Sequence, residues 1–240
     1  TEAWIEELFS IRWQIDHNSN RTGIRLNGPA PEWARGDGGE AGLHPSNIHD
    51  SAYAFGAMDF TGDMPVILGP DGPSLGGFVC PAVVINADRW KLGQLVPGDE
   101  VQLQLVDQHQ ATEISEAQAQ WMEDARQKLV VVPSLSRVKE SDAARIVLYQ
   151  ANDVKIRQAG QEWVLLEFGE ATIDVGARVL IGDFAKIVID SGLPGVVEMI
   201  PGVRSLLLRF DTQRWTHDTM VRALEPLLEQ ARTSRSSTVR

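Results

Sequence analysis

Apolar and polar positions along the chain change period several times, and each change predicts an element. Residues 2 to 9, EAWIEELF, place Trp4, Ile5 and Leu8 on one helical face. The polar run Asp16 to Arg21 then reads as a turn leading into a strand at Ile24 and Leu26. Between 28 and 77 the chain is rich in Gly, Pro, Asp and Asn, with brief apolar runs such as Val66-Ile67-Leu68, the pattern of structured loops rising from a β scaffold. FVCPAVVI at 78 to 85 reads as a strand, and VQLQLV at 101 to 106 alternates as a half-buried strand does, after a Pro97-Gly98-Asp99 turn. Ile114, Ala117, Trp121, Ala125 and Leu129 recur at steps of three and four and predict a helix over 113 to 129. Residues 133 to 155 have no clear period.

The rest is more regular. WVLLEF at 163 to 168 is a strand, 172 to 190 a helix with Ile173, Ala177, Leu180, Phe184 and Ile187 in register, 196 to 200 and 204 to 210 strands, and 217 to 231 a helix. The expected class is α+β. A β-rich, barrel-like unit spans 1 to 108, a helical connector 109 to 155, a βαββα unit 156 to 233, and a polar, basic tail 234 to 240. A ferredoxin-like split fold needs βαββαβ, so one strand is missing after the final helix and an unpaired sheet edge is expected.

Composition sharpens this division. With 43% hydrophobic and 23% charged residues the chain is globular rather than disordered. Residues 1 to 105 hold 14 Asp/Glu against 6 Lys/Arg and residues 156 to 240 hold 11 against 10, so the first unit supplies most of the net charge of -11. That charge argues against nucleic acid or an anionic membrane surface as a partner. The single cysteine, Cys80, cannot form an intrachain disulfide, no stretch is long and apolar enough for a membrane helix, and no secretory signal is visible at Thr1. A reducing cytoplasm is the default expectation.

The densest polar stretch, GDGGEAGLHPSNIHD at 36 to 50, packs Glu40, His44, Ser46, Asn47, His49 and Asp50 between glycines. Such loops bring donors and acceptors around a small ligand, because glycine lets backbone amides approach it. A plainer reading has Asp50 or Ser46 capping local backbone amides. His44 and His49 with Glu40 or Asp50 are metal-ligand types, but a five-residue spacing interrupted by Pro45 fits no recognised ligand motif, so no metal is expected. The loop GPDGPSLGGF at 69 to 78 has glycines but neither the order nor the lysine of a phosphate cradle. Cys80, in an apolar run with no basic neighbour, suits an inert thiol. Glu167, Glu170 and Asp174 read as helix-dipole partners and solvated surface.

NRTGIRLNGPAPEWAR (20 to 35), GGEAGLHPSNIHD (38 to 50), DFTGDMPVILGPDGPSLGGFVCPAVV (59 to 84) and WKLGQLVPGD (90 to 99) resemble the carboxyltransferase region of biotin-dependent urea carboxylase and urea amidolyase. The match is to the allophanate-hydrolase subunit 2-like part. LLEFGEATID and SGLPGVVEMIPGVRSLLLRFD resemble the start of the subunit 1-like part that follows it. The resemblance implies a cyclophilin-like β domain and transfer of the carboxyl group of carboxybiotin to urea, giving allophanate. It implies ATP and bicarbonate used elsewhere, with biotin carboxylase, biotin carrier and the remaining carboxyltransferase parts as partners. A piece alone is expected to be inactive.

On that resemblance Asn47, Ser46 and Glu40 are assigned to urea or a related small amide, His44 and Asp50 to positioning or proton transfer, and Asp71, Ser74 and Gly76 to biotin. The two glycine-bordered loops are expected to converge on one pocket for a planar amide. Two other readings remain open at this point: a 5-oxoprolinase subunit, opening a lactam with ATP, and a non-catalytic regulator of a histidine kinase.

Overall fold

The computed structural model describes residues 1–126, 147–151, 153–170 and 172–238. The first helix, α1 (Glu2–Leu8), is capped by the Thr1 side chain and buries Trp4 and Leu8. Ile5, expected on the same face, is instead half exposed, because two buried side chains already fill the contact. A strand not foreseen in the sequence, β1 (Arg12–Ile15), follows; its Trp13 is fully buried and donates its indole N–H to the Leu8 carbonyl at 3.2 Å, pinning the helix to the sheet.

The first unit continues with β2 (Gly23–Asn27), β3 (Asn47–Ala52), β4 (Ala57–Thr61), β5 (Met64–Leu68), β6 (Leu75–Phe78), β7 (Ala82–Val83), the short helix α2 (Arg89–Leu92) and β8 (Glu100–Gln102). Five of these join β1 in an antiparallel sheet of order β7-β4-β5-β2-β1-β8, and β3 pairs with β6 as a separate two-stranded ribbon. The expected barrel is thus an open, curled sheet. Two strands are shorter than their patterns suggest. Pro81 divides the expected strand 78 to 85 into β6 and β7, since proline has no N–H for a ladder. VQLQLV pairs only through Gln102, at the sheet edge beside β1.

Alternation along β4 and β5 sorts the residues to two faces. Met58, Phe60 and Ile67 join Trp4, Leu8, Trp13 and Leu26 in one core, while Ala57, Val66 and Leu68 face Tyr53 beneath the ribbon.

Helix α3 (Gln108–Arg126) starts five residues before the periodic pattern does. Only Ala111 on it is buried, and Trp121 stays exposed. Leu129 and residues 133 to 146 of the expected connector lie outside the described residues. Its remainder is β9 (Val147–Ala151) and the start of β10 (Val154–Gln158). These lead to β11 (Trp163–Phe168), α4 (Val175–Ser191), β12 (Val196–Pro201), β13 (Ser205–Phe210) and α5 (His217–Thr238). The last helix runs into what the sequence suggested was a tail.

This second unit forms an antiparallel sheet in the order β12-β13-β11-β10-β9. The edge of β11 that βαββα leaves open is filled by β10, which pairs with it over five residues. A strand from before the unit therefore supplies what was expected after it. Helices α4 and α5 cover one face, burying Leu180, Ile181, Phe184, Leu224 and Leu228 against Ile156, Leu166 and Leu208. Asp174 caps α4 by accepting from the Gly176 N–H, and Ile173, just before the helix, is exposed.

The two units pack together. Ala52 and Ala54 meet Trp163 and Leu207 in a buried apolar seam. Around it, the Gln161 side chain accepts from the Asn86 N–H at 2.6 Å and donates to Ser115 Oγ at 3.2 Å. Glu162 holds Arg89 at 2.9 Å and Arg209 at 3.3 Å.

Candidate functional site

The polar loop and the strand that follows it place each singled-out side chain against a different neighbour. Asn47 opens β3 and pairs with Phe78 of β6, and Arg35 fixes the turn by donating to the Pro45 carbonyl at 2.8 Å and to the Asn47 carbonyl at 2.5 Å. Gly42, at φ +139, folds the loop back over the Asn47 amide; a Cβ there would lie 2.5 Å from Asn47 Nδ2. The Asn47 side chain is partly exposed and has no hydrogen-bond partner among the described residues.

His44 is held at both ring nitrogens. Its Nδ1 accepts from the Ser46 backbone N–H at 3.1 Å and lies 2.8 Å from Ser46 Oγ, which leaves the proton on Nε2, 3.4 Å from Asp63. Trp33 donates to that same Asp63 oxygen at 2.8 Å and meets the imidazole edge-on. Ser46 is fully buried. His49 turns instead to Glu40, at 3.6 Å.

Asp50 points the other way, out of the first unit. Its Oδ2 accepts from the Val203 N–H at 2.7 Å and from Ser205 Oγ at 3.1 Å, in the turn between β12 and β13. The close approach needs Gly202, where a Cβ would lie 2.0 Å from that oxygen. The carboxylate thus bridges the two units.

The second loop does not meet the first at a pocket. Arg21 grips Asp71 with two bonds of 2.6 and 3.0 Å, which holds its carboxyl below the usual carboxylate range. Ser74 is exposed and uses its carbonyl to accept from the Tyr53 N–H. The ribbon pairs Asn47 with Phe78 at one end and Ala52 with Leu75 at the other, so Asn47 sits at one end and Asp71 precedes the strand at the other. Neither lines the cavity of about 320 Å³ between the ribbon and the sheet; of the residues assigned to biotin, Gly76 alone does.

Asp59 and Tyr53, which sequence reasoning passed over, both line that cavity. A charged residue inside the otherwise apolar strand Ala57–Thr61 was the available signal. Burial pushes the Asp59 carboxyl up to about 6 and the Tyr53 phenol well above its ordinary value. Cys80 beside them is likewise pushed up by burial, to about 12, and is no nucleophile at neutral pH.

An acid whose folded-state pKa is raised costs stability once the unfolded chain would release its proton. Below about pH 4 both states are protonated and there is no penalty; stability falls between about pH 4 and about pH 6 and stays lowered above. Asp59→Asn should therefore melt higher than the parent at pH 7 and alike at pH 4, in thermal denaturation followed by circular dichroism. A difference independent of pH would refute this.

Two family models cover most of the chain: the carboxyltransferase domain, subdomain A and B, matches residues 1–105, and the carboxyltransferase domain, subdomain C and D, matches residues 154–240. The chain belongs to the carboxyltransferase-domain family. Among curated relatives it is 43% identical over 213 residues to urea amidolyase of Lachancea kluyveri, covering 86% of this chain and 12% of that protein. To urea amidolyase of Saccharomyces cerevisiae it is 41% identical over 236 residues, 92% of this chain and 12% of that one. The solved urea carboxylase of Kluyveromyces lactis superposes with a TM-score of 0.86 at 39% identity, over 96% of this chain and 21% of the other.

The chain thus spans about 12% of the length of these curated relatives. The boundary between the two carboxyltransferase models falls in residues 106–153, and the Glu162 and Asp50 contacts join the segments on either side of it. No described helix is long and apolar enough to cross a membrane.

Proposed function

We propose that this chain supplies part of the carboxyltransferase of a urea carboxylase, the part that presents urea to the incoming carboxyl group. The reading rests on likeness to urea amidolyases and a urea carboxylase over most of the chain. The observation that carries it residue by residue is the Asn47 amide, planar and without a hydrogen-bond partner among the described residues. Such a group donates to the urea oxygen and accepts from a urea N–H, which few other side chains do at once.

Biotin, carried elsewhere and charged there with ATP and bicarbonate, would supply the carboxyl group. Of Asp71, Ser74 and Gly76, Gly76 alone lines the cavity beneath the ribbon, and Asp71 is taken up by Arg21. On the acceptor side, a urea nitrogen must lose a proton as its new bond to carbon forms, and it is a poor nucleophile unless held in place. His44, with both nitrogens engaged, orients the loop around Ser46, and Asp50 fixes that loop against the second unit. Glu40, largely exposed and loosely paired with His49, is the carboxylate of this loop with acceptor capacity left for a urea N–H. In this reading the first unit is a cyclophilin-like domain and the βαββα unit a ferredoxin-like one whose fourth strand position is taken by β10. The biotin carboxylase, the carrier and the remaining carboxyltransferase parts are the partners, in the cytoplasm.

Asn47→Asp tests the assignment. A carboxylate cannot donate to the urea oxygen but pairs with a guanidinium, so in an intact enzyme carrying this region kcat/KM for urea should fall at least tenfold while that for guanidine rises. Steady-state carboxylation assays with both substrates measure it. Unchanged preference would refute the role of Asn47.

A further inference from the structure

Carboxyl transfer to urea needs a group that takes a proton from the attacking nitrogen, and the two residues that the sequence suggests for it are both committed to other partners. Asp50 is engaged by Val203 and Ser205. His44 accepts at Nδ1 from the Ser46 N–H, so its proton sits on Nε2 opposite Asp63 and no lone pair of the ring is left for a substrate. His49 is placed differently. Its side chain is only 10% exposed, yet no hydrogen bond reaches either ring nitrogen among the described residues. Neither nitrogen is sealed off from solvent, so the body of the ring is buried while its polar edge stays open. Glu40 Oε2 lies 3.6 Å from His49 Nε2.

The turn that carries Glu40 also touches Asn47. Glu40 belongs to the single turn Gly39–Ala41, and Gly42 at its end stands against the Asn47 amide, where a Cβ would come 2.5 Å from Nδ2. Two residues separate Glu40 from Gly42, at most about 7 Å of chain. The Asn47 amide and the His49 imidazole therefore border one short stretch of backbone. A carboxylate beside Nε2 favours the proton there and leaves the Nδ1 lone pair free, the division of roles between a base and the acid that orients it.

We propose that His49 is the general base of urea carboxylation, taking the proton of the attacking nitrogen at Nδ1 while Glu40 stabilises the imidazolium that forms. The inference rests on the reading of Asn47 as the urea contact. The nitrogen lone pair enters the new bond to the carboxyl carbon, and the electrons of the broken N–H bond stay on nitrogen in its place. The bond from that carbon to the donor nitrogen breaks with its pair on the donor, which takes up the proton held by His49.

Carboxylation assays on an intact urea carboxylase carrying this region test it. His49→Gln keeps a side chain that hydrogen-bonds but has no nitrogen able to accept a proton, so kcat should fall about 100-fold or more while KM for urea stays within about threefold. His49→Ala should lose as much and regain part of its rate when imidazole is added, a response that a purely structural ring would not give. Glu40→Gln should lower kcat less than His49→Gln does, because that carboxylate is 74% exposed and screened by water. His49→Gln retaining more than a tenth of the parent kcat, or His49→Ala unresponsive to imidazole in a protein that melts as the parent does, would overturn the proposal. Its failure is separable from that of the urea reading: full carboxylation by His49→Gln removes the base and leaves Asn47 in its role, whereas unchanged urea preference in Asn47→Asp removes Asn47 and leaves the rate loss of His49→Gln standing.

Discussion

Replacing Glu162 with alanine is expected to be the most damaging single change at the junction of the two units, costing about 3–5 kcal/mol. Its carboxylate meets Arg89 at 2.9 Å and Arg209 at 3.3 Å, and the Glu162 and Arg89 side chains are each only 15% exposed. Two further nitrogens of Arg89, Nε and Nη2, are already buried without a hydrogen-bond acceptor. Removal of Glu162 leaves the Arg89 guanidinium with no carboxylate partner among the described residues, packed over the Phe55 ring at 5.2 Å. An uncompensated buried charge is what makes such truncations severe, more than the worth of the pair itself. At about 2–4 °C per kcal/mol for a chain of this size, the melting temperature should drop by roughly 10 °C. The double variant Arg89→Met with Glu162→Gln should recover most of the loss, because the stranded charge goes with its partner. Thermal melts of the parent and the two variants decide the matter: a double variant as unstable as Glu162→Ala alone would show that packing, rather than the buried charge, sets the cost.

Asp50→Ala should come next, at about 2–3 kcal/mol. The Val203 N–H and the buried Ser205 hydroxyl lose the acceptor that joins β3 to the β12–β13 turn. Gly202→Ala should reproduce the effect from the other side, since its new methyl would occupy the space of the Asp50 oxygen. Asp50→Asn keeps an acceptor of the same shape and should cost less than half as much. Both damaging variants should also broaden the thermal transition, as the first unit and the βαββα unit cease to melt together. A sharp, unshifted melt for Asp50→Ala would mean that Asp50 does not hold the units, and would return it to the list of residues free for proton transfer.

How much of this could be read in advance differs between elements for physical reasons. The helix around Phe184 follows from its period because it buries one stripe, and the strands at Trp163–Phe168 and Ser205–Phe210 follow from continuous apolar runs because both of their faces are covered. The strand at Arg12–Ile15 was invisible. It is four residues long, and two buried residues, Trp13 and Ile15, are too few for an alternation to stand out from the apolar helix before them. Residues 147–151 lacked a period because Val147, Leu148, Tyr149 and Ala151 put apolar side chains on both faces of an edge strand, where they are only partly buried. In the candidate site, residue types and glycine borders marked the loop around Asn47 as dense in polar side chains. Their directions could not be read. His44 went to Asp63, His49 to Glu40 and Asp50 to the second unit, partners 9 to 155 positions away in sequence.

The chain's own order of residues determined its class: alternation and helical spacing set which segments become strands or helices, and the long motifs from Asn20 to Asp99 set the family. Tertiary structure decided what touches what. It placed β10 on the edge that βαββα left open, drew Asp50 and Glu162 into the seam between units, put Asn47 and Asp71 toward opposite ends of the β3–β6 ribbon, and set the buried Asp59 on the wall of a cleft. The physical reason is that secondary structure answers to neighbours within a few residues, whereas pairing of strands, desolvation of a carboxylate and closure of a cavity depend on surfaces that meet only when distant segments pack.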